Sequence, residues 1–225
     1  MITFGIALSD KSIQIIDFNG RLIYDQSVDS TMPLFNKRTI CAPKNGHELL
    51  YRIFKKSLPL SKRLFTQKQI FITINPKDGE WECRVTKDIF QSLKWRYSPI
   101  LVPFSLASLI GLESNPTGQE LIIDIDDRNC YISFFNGMNL LKFEETELEI
   151  NAILREVNSI IKTPQNININ KAWLIGRNEN LNDFLVMLRN SLNLSIKLSH
   201  NPQNVTINGL NRIMKYPELY LTKSL

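Results

Sequence analysis

The side chains best suited to chemistry crowd into two short turns. One reads Ser9-Asp10-Lys11, the other Asp124-Ile125-Asp126-Asp127-Arg128. The plain reading is a solvated acidic turn, in which Lys11 and Arg128 balance Asp124, Asp126 and Asp127. Other reactive residues are scattered. His47 and His200 stand alone, with no second ligand at helical or turn spacing, and read as surface histidines rather than metal ligands. No serine or cysteine sits in a recognisable nucleophile motif. Cys41, Cys83 and Cys130 are odd in number and far apart, which predicts packed, reduced thiols of a cytoplasmic protein rather than a disulfide framework.

The elements that carry these turns are written twice. FGIALSDKSIQIIDFNGRLIYD, from Phe4, aligns without a gap on LIIDIDDRNCYISFFNGMNLLK, from Leu121. Ile6 falls on Ile123, Asp10 on Asp127, Lys11 on Arg128, and Asn19-Gly20 on Asn136-Gly137. Each copy reads as three antiparallel strands, over 2–8, 12–18 and 21–28 in the first. Its Asn-Gly pair predicts a type I′ turn with positive φ at both positions.

Beyond the first copy, the spacing of Leu49, Leu50, Ile53 and Phe54 predicts a helix over 46–57. QIFITI (69–74) is a buried strand, GEWECRVTKDIFQSLKWR a helix, YSPILVP a strand and FSLASLIGLE a short apolar helix. After the second copy, Ile150, Ile153, Leu154, Val157, Ile160 and Ile161 form one apolar stripe and predict a helix over 145–162. Thr163-Pro164 stops it. KAWLIG is a strand, LNDFLVMLRNSLN a helix, SIKLS an edge-like strand, and a short helix about Gly209–Met214 closes the chain. The class is α/β, with a duplicated β-β-β-α-β-α core.

With 225 residues and 43% hydrophobic content, the chain can bury a real core as one large domain or two small ones. It has no uninterrupted apolar run of about 18 residues to span a bilayer. A strand beginning at Ile2 leaves no room for a signal peptide. Much of the net charge of +5 comes from Lys55, Lys56, Lys62, Arg63, Lys68, Lys94 and Arg96. These suit a solvated surface or an anionic membrane. No helix-turn-helix, zinc-finger or RNA-binding aromatic signature accompanies them, so nucleic acid is not an expected partner.

Three blocks, in order and spacing, resemble the bacterial actin homologue MreB family: GIALSDKSI, PILVPFSLASLIGLESNPTGQELIIDID and TPQNININKAWLIGRNENL. The resemblance implies an actin-like (ribonuclease H-like) fold, in which two mixed sheets face each other across a nucleotide cleft. It divides the chain into core subdomains at 1–105 and 106–225, without the two peripheral subdomains. The nucleotide cleft would then be marked by Ser9, Asp10, Lys11, Asp124, Asp126, Asp127, Arg128 and Gly176.

Carried over residue by residue, that cleft has lost its chemistry. The family's three glycines of the second loop align with Asp126, Asp127 and Arg128, although only glycine lets backbone N–H groups approach phosphates closely. Carboxylates there would repel a phosphate chain by several kcal/mol. Asp124 matches the magnesium-side aspartate, but the aspartate of the first loop is Ala7 and its glycine is Ser9. The water-positioning glutamate is Val102, which has no acid–base capacity. Gly176 survives, followed by Arg177 and Asn178 in place of glycines.

The resemblance therefore implies a protein without catalysis, cofactor or metal. It would be a scaffold or cytoskeletal protein acting by self-assembly, as a homo-oligomer or filament, or by docking protein partners. Leu64-Phe65, flanked by Lys62 and Arg63, resembles the family's membrane-inserting pair and implies contact with an anionic membrane at the cytoplasmic face; the pair is equally suited to closing the end of the core. Two alternatives stay open. One is a divergent ATPase in which Lys11, Arg128 and Arg177 neutralise phosphate, and the other a peptide-binding adaptor of a pilus or secretion machine.

Overall fold

The computed structural model describes residues 2–27, 35–57, 68–93, 97–112, 116–162, 169 and 171–221. Both copies of the repeat form the antiparallel edge of a mixed five-stranded sheet. In the first, β1 (Ile2–Leu8), β2 (Ser12–Asp17) and β3 (Leu22–Ser27) form a meander, and β6 (Lys68–Ile74) and β7 (Tyr97–Pro103) add in parallel beside β1. In the second, β8 (Gln119–Ile125), β9 (Asn129–Asn136) and β10 (Asn139–Glu147) form the meander, extended by β11 (Lys171–Gly176) and β12 (Ile196–Leu198). The strand orders, 3-2-1-6-7 and 10-9-8-11-12, are the same arrangement twice.

Five layers result. Helices α1 (Pro43–Ser57) and α2 (Glu80–Ser92) cover the outer face of the first sheet, where Leu50, Ile53, Phe54, Ile89 and Phe90 pack on Phe4, Ile6, Ile13 and Ile15. Helices α4 (Ile150–Ile161) and α5 (Leu181–Ser191) do the same for the second, through Ile153, Val157, Ile160, Leu181, Leu185 and Leu188. Each such buried aliphatic or aromatic side chain contributes about 1.5–3 kcal/mol.

Between the sheets lie α3 (Phe104–Leu112) and α6 (Val205–Lys215), followed by the short α7 (Pro217–Tyr220). Leu106, Ala107, Ile110, Leu210 and Ile213 face Ala7, Ile16, Phe71 and Val102 of the first sheet. Leu109 and Val205 face Ile122, Phe135 and Ile175 of the second. The two helices cross closely at glycines. A Cβ on Gly209 would stand 1.7 Å from the Ala107 carbonyl oxygen, and one on Gly111 2.0 Å from that of Val205.

Several local expectations change. β10 takes the first residues of the predicted 145–162 helix, because Phe143–Glu147 pair with Asn129–Ser133 and the helix begins only at Ile150. The last long helix extends over Val205–Lys215, since Val205, Ile207, Leu210, Ile213 and Met214 all find burial in the middle layer. In each Asn-Gly pair only the glycine has positive φ, Gly20 at 88° and Gly137 at 58°. Two consecutive residues with positive φ, the mark of a type I′ turn, occur instead at Lys37 (54°) and Arg38 (64°). They join β4 (Phe35–Asn36) to β5 (Thr39–Ile40), a hairpin that the residue pattern did not announce. Lys62, Arg63, Leu64 and Phe65 lie outside the described residues.

Cys130 is buried, which pushes its thiol well above the ordinary range, Cys83 is half-buried and Cys41 is exposed; none of the three forms a disulfide. Among the described residues no helix is long and apolar enough to cross a membrane.

Candidate functional site

The repeat brings its two charged turns face to face. Ser9 closes the first turn on itself: its Oγ lies 2.5 Å from Ser12 Oγ and accepts from Ser12 N–H at 2.9 Å. The next residue crosses to the second turn, where Asp10 N–H donates to Asp126 Oδ2 at 3.1 Å. The Asp10 carboxylate accepts from Tyr131 Oη at 2.7 Å and Asn129 Nδ2 at 2.7 Å, both on β9. Asp124 lies within the buried run of β8, opposite Tyr131. Asp124 is 2% exposed and Asp126 is 0% exposed.

The cation that meets these carboxylates is Arg38, at the tip of the β4–β5 hairpin. It is 4% exposed. Its Nη1 and Nη2 donate to the two oxygens of Asp124 at 2.7 and 2.9 Å, and its Nε donates to Asp126 Oδ2 at 3.2 Å. The Arg38 backbone N–H donates to Asp10 Oδ1 at 3.2 Å. Aromatic faces enclose the rest of the guanidinium: Cζ lies 4.2 Å from the Phe104 ring centre and 4.6 Å from that of Tyr131. Phe143 completes the wall, edge-on to Phe104 at 5.7 Å and stacked beside Tyr131 at 6.4 Å.

A bidentate guanidinium–carboxylate pair between aromatic faces is the geometry for which arginine, not lysine, is shaped. The hairpin that presents it is held from both sides. Thr39 Oγ1 donates to Asp78 at 2.6 Å, Asn75 Nδ2 donates to the Lys37 carbonyl at 2.9 Å, and Lys37 Nζ pairs with Glu145 on β10 at 2.5 Å. Left-handed backbone costs a non-glycine residue about 1–2 kcal/mol. Two such residues in succession persist because these contacts over-determine the turn.

Electrostatics follow from burial. Burial alone would lower the Arg38 pKa, but Asp124 and Asp126 outweigh it and hold the guanidinium above its ordinary value. Burial pushes the Asp124 carboxyl up, and Arg38 pulls it back. Burial and the neighbouring Asp126 carboxylate raise Asp10, against the hydrogen bonds from Tyr131 and Asn129 and the charge of Arg38. The Tyr131 phenol is pushed up by burial, against Arg38 and with Asp10, and stays a hydrogen-bond donor.

The solvated acidic turn expected from sequence is therefore corrected in its main part. Asp124 and Asp126 are buried and paired with Arg38, while only Asp127 of the three is exposed. Lys11 and Arg128 are exposed, and Arg177 pairs with Asp25 of β3 at 2.8 Å. None of the three cations named for phosphate neutralisation is the one that pairs with Asp124 and Asp126. Gly176, the surviving glycine, meets its own sheet. Its φ is 128°, and a Cβ there would stand 2.0 Å from the Ile125 carbonyl oxygen, which accepts Arg177 N–H at 3.1 Å. Val102 lies in the apolar middle core. His47 is half-buried on α1 and His200 is exposed. Among the described residues no cluster of His, Cys, Asp or Glu is arranged to hold a metal ion.

Sequence reading missed Arg38, Tyr131, Phe104, Asn129 and Glu145. One signal pointed toward Arg38: carboxylates at the end of a buried apolar strand require a cation. Which of 27 lysines and arginines supplies it is set by the tertiary path.

Two mixed sheets built on one repeat, meeting at paired turns over a central helical layer, define the actin-like fold with its two-subdomain core. Solved structures agree. MreB5 of Spiroplasma citri bound to AMPPNP superposes with a TM-score of 0.73 at 11% identity, covering 100% of this chain and 99% of that one. The PilM–PilN type IV pilus biogenesis complex gives 0.70 at 10% identity, over 94% of this chain and 98% of that one. The ethanolamine utilization protein EutJ from Carboxydothermus hydrogenoformans gives 0.68 at 12% identity, over 94% and 89%. No protein-family profile matches the chain, and no curated protein matches it in sequence.

The residues present do not fit the nucleotide and magnesium that such a fold implies. Asp124 has both oxygens taken by Arg38, and the two turns bond to each other where a phosphate chain would pass. Among the described residues, a cavity at the cleft lined by Ser9, Ser12, Gln14, Arg38, Asp124 and Arg177 among others has a volume of about 20 Å³. That is room for about one water, whereas ligand pockets of drug-sized molecules span about 300–1,000 Å³.

Proposed function

We propose that this chain is a non-catalytic actin-like protein that acts by assembling with itself or by docking protein partners, with its own Arg38 in the place of a nucleotide. The observation that carries this reading is the buried Arg38–Asp124 pair, which uses the cleft's cation-binding carboxylate from within the chain. The outer surfaces of the two sheets and their helices are then the parts left to do work. Calorimetric titration of the purified protein with ATP, with and without magnesium, tests the reading: no heat is expected, and saturable binding in the micromolar range would overturn it in favour of the divergent ATPase.

Peripheral attachment to the cytoplasmic membrane face rests on the sequence pattern Lys62-Arg63-Leu64-Phe65. Sedimentation with anionic liposomes is expected, and a Leu64→Ser, Phe65→Ser variant is expected to stay in the supernatant. Equal sedimentation of both proteins removes this part. The likeness to PilM in complex with PilN supports a second reading, an adaptor that takes a short peptide of a membrane-protein tail. Binding of such a peptide without filament formation would favour it.

A further inference from the structure

We propose that the floor of the cleft is a guanidinium-selective binding site, and that the β4–β5 hairpin is its tethered ligand. The inference rests on the reading of the cleft as filled from within the chain, and it adds the chemical class that the site recognises. The receptor belongs to the second sheet and the middle layer: Asp124 and Asp126 on and after β8, Tyr131 on β9, Phe104 at the start of α3. The ligand comes from the other half of the chain, between β3 and α1.

Each part of the receptor discriminates. The Asp124 carboxylate receives two parallel N–H bonds, at 2.7 and 2.9 Å, which match a planar fork and leave an ammonium with a single contact. Asp126 takes the third edge through Nε, an atom that lysine lacks. The Phe104 and Tyr131 faces, 4.2 and 4.6 Å from Cζ, favour a weakly hydrated delocalised cation over a strongly hydrated metal ion or ammonium. Tyr131 is itself fixed, because its hydroxyl donates to Asp10 at 2.7 Å. A site built for a divalent cation would turn oxygen atoms, not ring faces, toward its centre.

The tether is equally specific. Lys37 and Glu145, Asn75 and the Lys37 carbonyl, and Thr39 and Asp78 anchor the hairpin on both sides of Arg38. Occupancy of the site from within the chain therefore joins the two sheets at the cleft, beside the Gln14–Asn204 and Arg177–Asp25 bonds at its mouth.

The test empties the receptor and offers the ligand in trans. In an Arg38→Ala variant, ethylguanidinium at millimolar concentration is expected to raise the melting temperature by about 3 °C, saturably. Ethylammonium and magnesium chloride at equal ionic strength are expected to leave it unchanged, and so is ethylguanidinium on the wild-type chain or on Arg38→Ala, Asp124→Asn. A folded Arg38→Ala protein that ignores ethylguanidinium, or that magnesium stabilises more, overturns the proposal. If Arg38→Ala does not fold, Arg38→Lys decides. It keeps the charge and the stem, so a guanidinium-selective site predicts a melting temperature lower by about 5 °C or more, and a wild-type melting temperature overturns it. Nucleotide binding by the wild-type chain bears on the proposed function alone, whereas these shifts bear on the receptor alone.

Discussion

At the scale of the residue, one guanidinium pairs with Asp124 and Asp126 while Asp10 accepts the Arg38 backbone N–H, and hydrogen bonds from Tyr131 and Asn129 oppose the cost of burying the extra carboxylate. Breaking a buried pair from one side leaves uncompensated charge. Arg38→Ala is thus expected to cost about 3–5 kcal/mol, read as the shift of the urea midpoint. Asp124→Asn alone should also be costly, and the double variant should cost clearly less than the sum, with a coupling of about 0.5–3 kcal/mol.

Asp10 gives a pH signature. Its pKa is raised in the folded state above the ordinary value of 3.8, so between those two values the folded protein binds more protons than the unfolded one. Stability from this group is present at low pH and falls as pH rises through the folded pKa. Asp10→Asn removes that fall. The difference in melting temperature, variant minus wild type, is expected to increase from about pH 4 to pH 7, whatever its offset; a flat difference would show that Asp10 titrates normally. Gly176→Ala is expected to unfold the chain or destabilise it severely even with no nucleotide involved, because the new methyl meets the Ile125 carbonyl at 2.0 Å.

At the scale of the element, the middle layer decides more than the sheets. The α3–α6 crossing brings backbones together at Gly111 and Gly209, with Ser108 and Thr206 hydroxyls bonded at 2.8 Å and Arg212 donating to the Ile110 carbonyl at 2.6 Å. Gly209→Ala would drive a methyl to 1.7 Å from the Ala107 carbonyl oxygen. Helices must separate to admit it, at about 3 kcal/mol or more, which a thermal melt would report directly. An unchanged melting temperature would show that the crossing relaxes freely. The central strands were readable as short apolar, β-branched runs buried on both faces, and α1 and α4 as stripes that bury one regular face. β7 and β11 fall on the bounds predicted, Tyr97–Pro103 and Lys171–Gly176. The β4–β5 hairpin was not readable: its turn is Lys37-Arg38, without glycine or asparagine, and its conformation is imposed by partners far away in sequence.

At the scale of the whole molecule, the last long helix returns to the first sheet. α6 covers Ala7, Ile16, Phe71 and Val102, and the Arg38 pair, the Gln14–Asn204 bond and the Arg177–Asp25 pair tie the halves again at the cleft. Unfolding of the full chain is expected as a single calorimetric transition with matching calorimetric and van't Hoff enthalpies. Residues 1–105 expressed alone leave the inner face of their sheet uncovered, and are expected to bind hydrophobic dyes and lack a cooperative melt. Independent, cooperative folding of that fragment would show that the middle layer is dispensable to it.

By itself the sequence determined the duplicated α/β layout and the charged turns without glycine at Ser9–Lys11 and Asp126–Arg128, at the same place in each copy. These are local or periodic properties: apolar β-branched runs along strands, stripes along helices, and the side-chain size that a close backbone approach tolerates. Tertiary structure alone decided that Asp124 and Asp126 are buried rather than solvated, and that Arg38 is their partner. It also placed the surviving Gly176 against its own neighbouring strand. Burial and pairing depend on which distant segments meet. A charge in a turn has the same one-dimensional neighbours whether water or a guanidinium comes to face it, and only the folded path between β3 and α1 brings the guanidinium there.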